Sequence, residues 1–269
     1  PPAGARPLLR GVSPFFRRAP LADSLFAPAC PPLFAEPRYG IAPLLAGTFL
    51  VTAIALFVAV PLGLALAVYV SEYLPSDKRA RVLGVLELFE GIPTVVFGYF
   101  ALLFVTPLLQ KVIPGLSLFN PLSAGLVMGF AILPYVSNVA ADAMQSVPRS
   151  IREAAYALGA RPYEVALKVV LPAALSGVIA AIILAASRAI GETMIVAIAA
   201  GQRPTLTLDP RETIATMTSY IVQAATGDQP TGSTAYYALF AVGFTLFLLT
   251  LALNVLAQYI VERYRERYE

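Results

Sequence analysis

Histidine is missing from this chain and cysteine nearly so: its 269 residues hold no His and one Cys, Cys30. Neither a disulfide framework nor a Cys/His metal site can be built from this chain alone. Charge is also scarce, at 13% of residues against 58% hydrophobic ones, with a mean hydropathy of +0.74; a soluble domain carries about 25% charged residues. That balance belongs to an integral membrane protein. The formal charge of +3 is small, and basic residues flanking membrane spans account for it, with no basic and aromatic patch suited to nucleic acid. No G-x-x-x-x-G-K-[ST] run is present, so the chain has no phosphate loop with which to hydrolyse ATP. An intramembrane enzyme is disfavoured because no His, no Cys within an apolar run and no plausibly paired carboxylates are available.

What is abundant is apolar length. Stretches long enough to cross a bilayer, roughly 20 residues each, lie at about 45–70, 83–110, 121–145, 173–200 and 234–261. Runs such as GTFLVTAIALFVAVPLGLALAVYV satisfy their backbone groups only as helices, and alternation in period two is too sparse for a barrel. The expected fold class is all-α, a polytopic bundle of membrane helices. Pro61, Pro93, Pro107 and Pro134 fall within the spans and should kink them. Ser137 and Asn138 after Pro134, and Thr94 after Pro93, could each bond a carbonyl freed by a kink. Glu87 and Glu90 are read as the start of the second span, where a helix N-terminus would stabilise them.

Basic residues set the orientation. Lys78, Arg79 and Arg81, then Arg149, Arg152, Arg161 and Lys168, then Arg263, Arg265 and Arg267 fall in alternate connections, which places these three segments and the C-terminus in the cytoplasm. The domain plan is then a Pro-rich extracytoplasmic segment over 1–44, a transmembrane domain over 45–262 and a cytoplasmic tail over 263–269. The domain carries a cytoplasmic connection at 146–172 and an extracytoplasmic one at 201–233. Arg6, Arg10, Arg17 and Arg18 conflict with this orientation, and a missing first span would resolve the conflict.

The connection VPRSIREAAYALGARPYEVALKVVLPA holds two helical patterns. Ile151, Ala154, Ala155 and Leu158 repeat at helical spacing, Gly159 can adopt the left-handed conformation that ends a helix, and Pro162 suits the first turn of another. Periodicity alone leaves two readings open, a connector lying on the membrane surface and a knob that docks into a partner's groove. The residues Glu153-Ala154-Ala155, then Gly159, Val169 and Leu171-Pro172 resemble the EAA loop of ABC importer permeases, with Val169 in place of the family's Ile. That resemblance implies a coupling helix inserted into a cleft of an ATP-hydrolysing subunit. SRAIGETM, LELFEGIPTVVFGYFAL and the first apolar run resemble the phosphate permeases of the Pst type, and GETMIVAIAAG with TMTSYI is closer to the PstC-like member of that pair.

Within SRAIGETM, Arg188 and Glu192 stand four apart in apolar surroundings. Counted from Pro172 at 1.5 Å per residue, they lie about 24 and 30 Å along one helix and share a face. An ionised side chain at a helix centre costs about 2.5–3.5 kcal/mol, so each needs a polar partner. An ion pair would provide one, although Arg preceding Glu is the weaker order within a helix. The other reading is an anion pathway, in which Arg188 binds phosphate through paired hydrogen bonds and Glu192 neutralises Arg188 or accepts a hydrogen bond from a protonated phosphate oxygen. Resemblance implies that Arg188, Glu192 and Thr193 belong to the pathway. It further implies phosphate import by alternating access across the cytoplasmic membrane of a prokaryote. The partners implied are a second, PstA-like permease, a dimer of ATP-binding subunits that uses ATP and Mg, membrane lipid, and an extracytoplasmic phosphate-binding protein. No cofactor bound by this chain is implied. Rival readings are a permease for molybdate, sulfate or phosphonate, and a transporter or channel that needs no ATPase, for which neither internal repeats nor a self-sufficient ion path is found.

Overall fold

A computed structural model of the chain describes residues 40–264, apart from 228, 229, 231 and 232. The Pro-rich segment before residue 40, with its four arginines and Cys30, and the basic tail after 264 lie outside the described residues. All regular elements among the described residues are helical. In chain order they are α1 (Ala42–Val68), α2 (Ser76–Glu90), α3 (Thr94–Gln110), α4 (Pro121–Gln145), α5 (Arg149–Ala157), α6 (Pro162–Ala173), α7 (Leu175–Gly191), α8 (Met194–Ala199), α9 (Met217–Thr226) and α10 (Thr234–Tyr264).

Three helices, Ala42–Tyr73, Pro121–Gln145 and Tyr236–Arg263, are each long and apolar enough to cross a membrane unaided. The other two expected spans are broken. Asp77–Glu90 meets Thr94–Gln110 at 77°, and Pro162–Ala173 meets Leu175–Gly191 at 73°. The spans expected at 83–110 and 173–200 therefore fall on bent pairs of helices and not on straight ones. Hydropathy sums polarity along the chain and carries no information about direction, so it runs through a sharp bend that leaves apolar residues on both sides. At the first break Gly91 bonds back to Glu87 and Leu88 and Ile92 to Phe89, and Pro93 follows, a residue that disfavours the helical conformation in the one before it. Glu87 and Glu90 thus sit at the C-terminal end of α2, not at a helix start. At that end the helix dipole disfavours an anion.

Proline shapes three other places through a shared device. A proline lacks an N–H, and its ring crowds the carbonyl four residues earlier. Before Pro75, Pro107 and Pro172 the helix widens into a π turn, over Tyr69–Tyr73, Ala101–Val105 and Val165–Val170. Thr106 N–H reaches back to Ala101 O and Leu171 N–H to Ala166 O, five residues instead of four. At the end of α1 the freed carbonyls are claimed by a side chain: Arg79 donates to Val70 O at 2.9 Å and to Ser71 O at 2.6 Å. Pro61 and Pro134 stay inside continuous helices. Around Pro134 the rescue expected of Ser137 does not occur, because its Oγ is buried with no hydrogen-bond partner among the described residues, and the acceptor Asn138 Oδ1 is likewise buried without a donor.

The described residues form two compact units. The first comprises 40–54, 94–128 and 190–251. Its core gathers Ile41, Leu44, Ala215, Met217, Tyr220, Ala224 and Val242. There α3 lies close on α8, and a Cβ added at Gly98 would come 3.0 Å from Ile198 Cδ1. The second comprises 55–93, 129–189 and 252–264. Its core joins Ala67, Ala140, Ala141, Met144, Val147, Val165, Val170, Ala174, Val178 and Ala181. Small residues dominate that list, which lets backbones approach closely where apolar burial offers no drive against lipid. Gly129 shows how closely: a Cβ there would sit 2.7 Å from Ala55 O and 2.8 Å from Val58 Cβ. Gly129→Val should lower stability by about 1–3 kcal/mol through overpacking. Gly84→Ala, whose added Cβ meets nothing within 4 Å, should be neutral or stabilising, and thermal melts of the detergent-solubilised protein compare the two.

Candidate functional site

Arg188 lies in the last turn of α7, where a cation complements the helix dipole. The α7 axis starts only at Leu175, after the bend, so Arg188 stands about 20 Å along it, less than a straight count from Pro172 gives. Its Nη1 is 3.7 Å from Glu90 Oε2, and its guanidinium carbon lies 5.2 Å from the centre of the Tyr135 ring. The arrangement settles two charges at once. Glu90, unfavourably placed at the end of α2, gains a counter-ion, and Arg188 gains an anion and an aromatic face. Yet the Arg188 side chain is 42% exposed and that of Glu90 27%. An accessible pair is worth about 0–1 kcal/mol, less than the about 2.5–3.5 kcal/mol needed to hold an ionised group in lipid. The open side of Arg188 leaves guanidinium donors available to a further polar group.

Glu192 and Arg188 do not share a helix face, because α7 ends at Gly191 and α8 starts at Met194. In the break, Glu192 Oε1 accepts hydrogen bonds from the backbone N–H groups of Thr193 at 3.1 Å, Met194 at 3.1 Å and Ile195 at 3.5 Å. The carboxylate thereby caps α8, and the counter-ion role that the spacing offered it is held by Glu90. Thr193 Oγ1 donates to Gly191 O at 3.2 Å. The Glu192 carbonyl accepts from Thr218 Oγ1 at 2.8 Å. Thr218 comes from the TMTS run, whose Thr216 and Ser219 cap α9 reciprocally. Irregular backbone at membrane depth is tolerated only where protein or a wet cavity satisfies it, and here neighbouring side chains do so. Within 201–233, α9 and the residues before it turn an apolar side inward: Ile214 and Met217 are fully buried, and Ile221 packs on the core that holds Met217.

The 146–172 connection folds as its pattern predicts. α5 spans Arg149–Ala157, Gly159 has φ +84°, and Pro162 opens α6. Ile151, Ala155 and Ala160 pack on the core of the second unit. Glu153 and Ala154 point outward, and Leu158 is 90% exposed, with Tyr156, Tyr163 and Leu167 also open to solvent. Ala154 and Leu158 therefore leave the apolar face that their spacing assigned them, which Ile151 and Ala155 keep. Leu171-Pro172 end the widened turn that precedes the 73° bend. Glu164 accepts from Arg161 N–H and from Lys168 Nζ, each at 3.1 Å. The Arg161 N–H, then Lys168, hold its carboxyl below the usual carboxylate range.

The family described as binding-protein-dependent transport system inner membrane component matches residues 59–266. This chain belongs to that family. It is a permease subunit of an ABC importer, a multi-pass protein of the inner membrane. Among curated relatives, the "Probable ABC transporter permease protein YqgH" of Bacillus subtilis is 32% identical over 95% of this chain and 80% of its own length. The phosphate transport system permease protein PstC of Mesorhizobium japonicum is 30% identical over 84% of this chain and 74% of its own length. PstC 1 of Mycobacterium tuberculosis is 34% identical over 84% and 73%. In fold, the permease is similar to the inward-facing MetNI methionine ABC transporter, with TM-score 0.56 at 18% identity over 82% of this chain and 94% of that one. It is likewise similar to a bacterial importer of alginate, with TM-score 0.62 at 15% identity over 97% and 90%.

Several residues that organise the permease's site carry little signal in the sequence. Glu90 and Tyr135 reach Arg188 from distant segments, and nothing local in LELFE or LPYVS announces a pairing. The start of α9 was open to detection, since Thr216 ahead of an amphipathic run reads as a helix N-cap. Between Gly201 and the start of α9, Asp209 accepts Arg211 Nε at 2.9 Å and Nη2 at 2.6 Å. The side-chain bond from Arg211, then its backbone N–H, hold the Asp209 carboxyl down at about 2. Its contribution is thus present above the ordinary value of 3.8 and lost as pH falls through about 2. Arg211→Gln should return the Asp209 titration toward 3.8, read by carboxyl chemical shifts.

Proposed function

We propose that this permease imports inorganic phosphate by alternating access, with Arg188 as the anion contact. The observation that carries the reading is the half-open guanidinium of Arg188, braced by Glu90 and Tyr135 on one side and too costly to leave against lipid. A planar guanidinium matches two phosphate oxygens at once. The PstC relatives support phosphate as the cargo. Glu192, whose Oε1 is engaged by backbone donors, uses Oε2 to accept a hydrogen bond from a protonated phosphate oxygen, a donor that fully ionised sulfate lacks. Thr193, in the same break, is the third pathway residue.

Energy enters at the other end of α7. The knob formed by α5 and α6 docks into a cleft of an ATP-binding subunit, one of a pair that uses ATP and Mg. Leu158 and Tyr156 supply the apolar contact. Glu153 and Ala154 line the docking face, Ala155 seats the helix on its own core, Gly159 makes the bend, and Leu171-Pro172 turn the chain into α7. A second, PstA-like permease covers the open side of Arg188, and an extracytoplasmic phosphate-binding protein delivers the anion. The C-terminus lies in the cytoplasm.

Two experiments test this on complexes purified from native membrane and reconstituted in liposomes. Loss of a charge-assisted hydrogen bond is worth about 1.5–3 kcal/mol, so Arg188→Gln should cut phosphate uptake about 10–100-fold. Glu192→Gln keeps an oxygen for the backbone donors and should weaken phosphate's preference over sulfate. Wild-type uptake by both variants would sink the pathway role, and preferential import of sulfate or molybdate by the wild-type complex would reassign the cargo. Separately, Leu158→Glu should abolish co-purification of the ATP-binding subunit while leaving the permease folded, because Leu158 is 90% exposed.

A further inference from the structure

Arg152 was legible only as one more cytoplasmic arginine, and Glu72 was not singled out at all. In the structure they meet across eighty residues of sequence. Arg152 Nε donates to Glu72 Oε2 at 3.1 Å and Nη2 to Glu72 Oε1 at 3.0 Å, a two-point fork. Two further donors go to the end of α4: Nη2 also reaches Met144 O at 2.8 Å, and Nη1 reaches Val147 O. All three guanidinium nitrogens are thus committed. The side chains are largely enclosed, 16% exposed for Arg152 and 6% for Glu72.

The surroundings of Glu72 are equally fixed. It sits in the π turn that precedes Pro75, and Ser71 Oγ donates to its Oε1 at 2.7 Å. Arg79, from the first turn of α2, holds Val70 O and Ser71 O in that turn. One arginine on α5 is therefore tied to the ends of α1 and α4, and through Arg79 the α1 end is tied to α2.

We infer that the Arg152–Glu72 pair is the rigid link that carries movement of α5 into α1 and α4, making both positioning residues for the coupling of ATP hydrolysis to transport. The need for such a link follows from the chain path. Only Ser146, Val147 and Pro148 join α4 to α5, and Gly159 in a left-handed conformation follows α5. A short helix between two turns would swivel under load, and Ile151 and Ala155 give it apolar contact without fixing its direction. A forked ion pair sets orientation as well as distance. As a plain stabiliser the pair would be a poor choice, since desolvating two charges cancels most of their attraction and apolar residues of like volume hold as well. The inference rests on reading α5 as the segment that docks on the ATP-binding subunit, not on phosphate as the cargo.

The test measures ATP hydrolysed per anion imported in reconstituted complexes, using whichever oxyanion the wild-type complex carries. Arg152→Gln and Glu72→Gln should each raise that ratio at least about fivefold, the lower end of typical coupling strengths, with ATP hydrolysis itself retained. The double variant should be no worse than the poorer single, because both remove one interaction. Arg152→Lys, which keeps the charge and loses the fork, should fall between wild type and Arg152→Gln. An unchanged ratio in both single variants overturns the proposal, as does strict additivity in the double. Failure of even Arg152→Lys complexes to assemble also overturns it, by reducing the pair to a folding element. A different cargo in the wild-type complex would strike the phosphate reading alone.

Discussion

In a bilayer a backbone carbonyl without a donor has no water to turn to, and a proline inside a helix creates such a carbonyl each time. Much of this permease follows from how that debt is met. Before Pro107 and Pro172 the helix widens so that the N–H of the preceding residue reaches a carbonyl five residues back. Before Pro75 the widening is completed by Arg79, whose guanidinium takes the carbonyls of Val70 and Ser71. The first device shapes α3 and the turn into α7, the second holds the segment that presents Glu72 to Arg152. Helix breaking and helix joining are the same events in this protein.

Charge is handled with similar economy. The chain places five ionisable groups in demanding positions and treats them in three ways. Arg152 and Glu72 are closed on each other and on backbone carbonyls. Glu192 is bonded to the backbone of its own break. Glu90 and Arg188 face each other at 3.7 Å with one side of the arginine open. Enclosure separates the two arginines: four of the five N–H donors of Arg152 are committed, while the Arg188 side chain is 42% exposed.

Local features of this design were legible in the sequence because their causes are local. Gly159 must end α5 and Pro162 can open α6, so the knob at 149–173 follows from a few residues whose conformations are nearly obligatory. The three unbroken spans were equally plain, since length and apolarity decide them. The breaks at 91–93, 174 and 192–193 were hidden, because an apolar sum does not register a change of direction. Pairings across long stretches of chain, Glu90 with Arg188 and Glu72 with Arg152, were hidden for a different reason: each side chain looked interfacial until the fold supplied its partner. Ser137 and Asn138 mark the opposite failure, where a plausible local partner existed and the structure did not use it.

The π turns have a genetic consequence. Each amounts to one residue more than an α-helix would need to cover the same rise, and an α-helix advances about 100° per residue. Deleting a single residue from Ala101–Val105 would let the ladder close in ordinary α form and would turn everything beyond it, on to Gln110, by about that angle. Thr106, buried where it bonds Ser123 at 2.8 Å, would be swung off that partner. A one-codon change that leaves composition, hydropathy and span length almost untouched would thus redirect a whole helix face, so the length of these short segments is under tighter constraint than the identity of most residues within them.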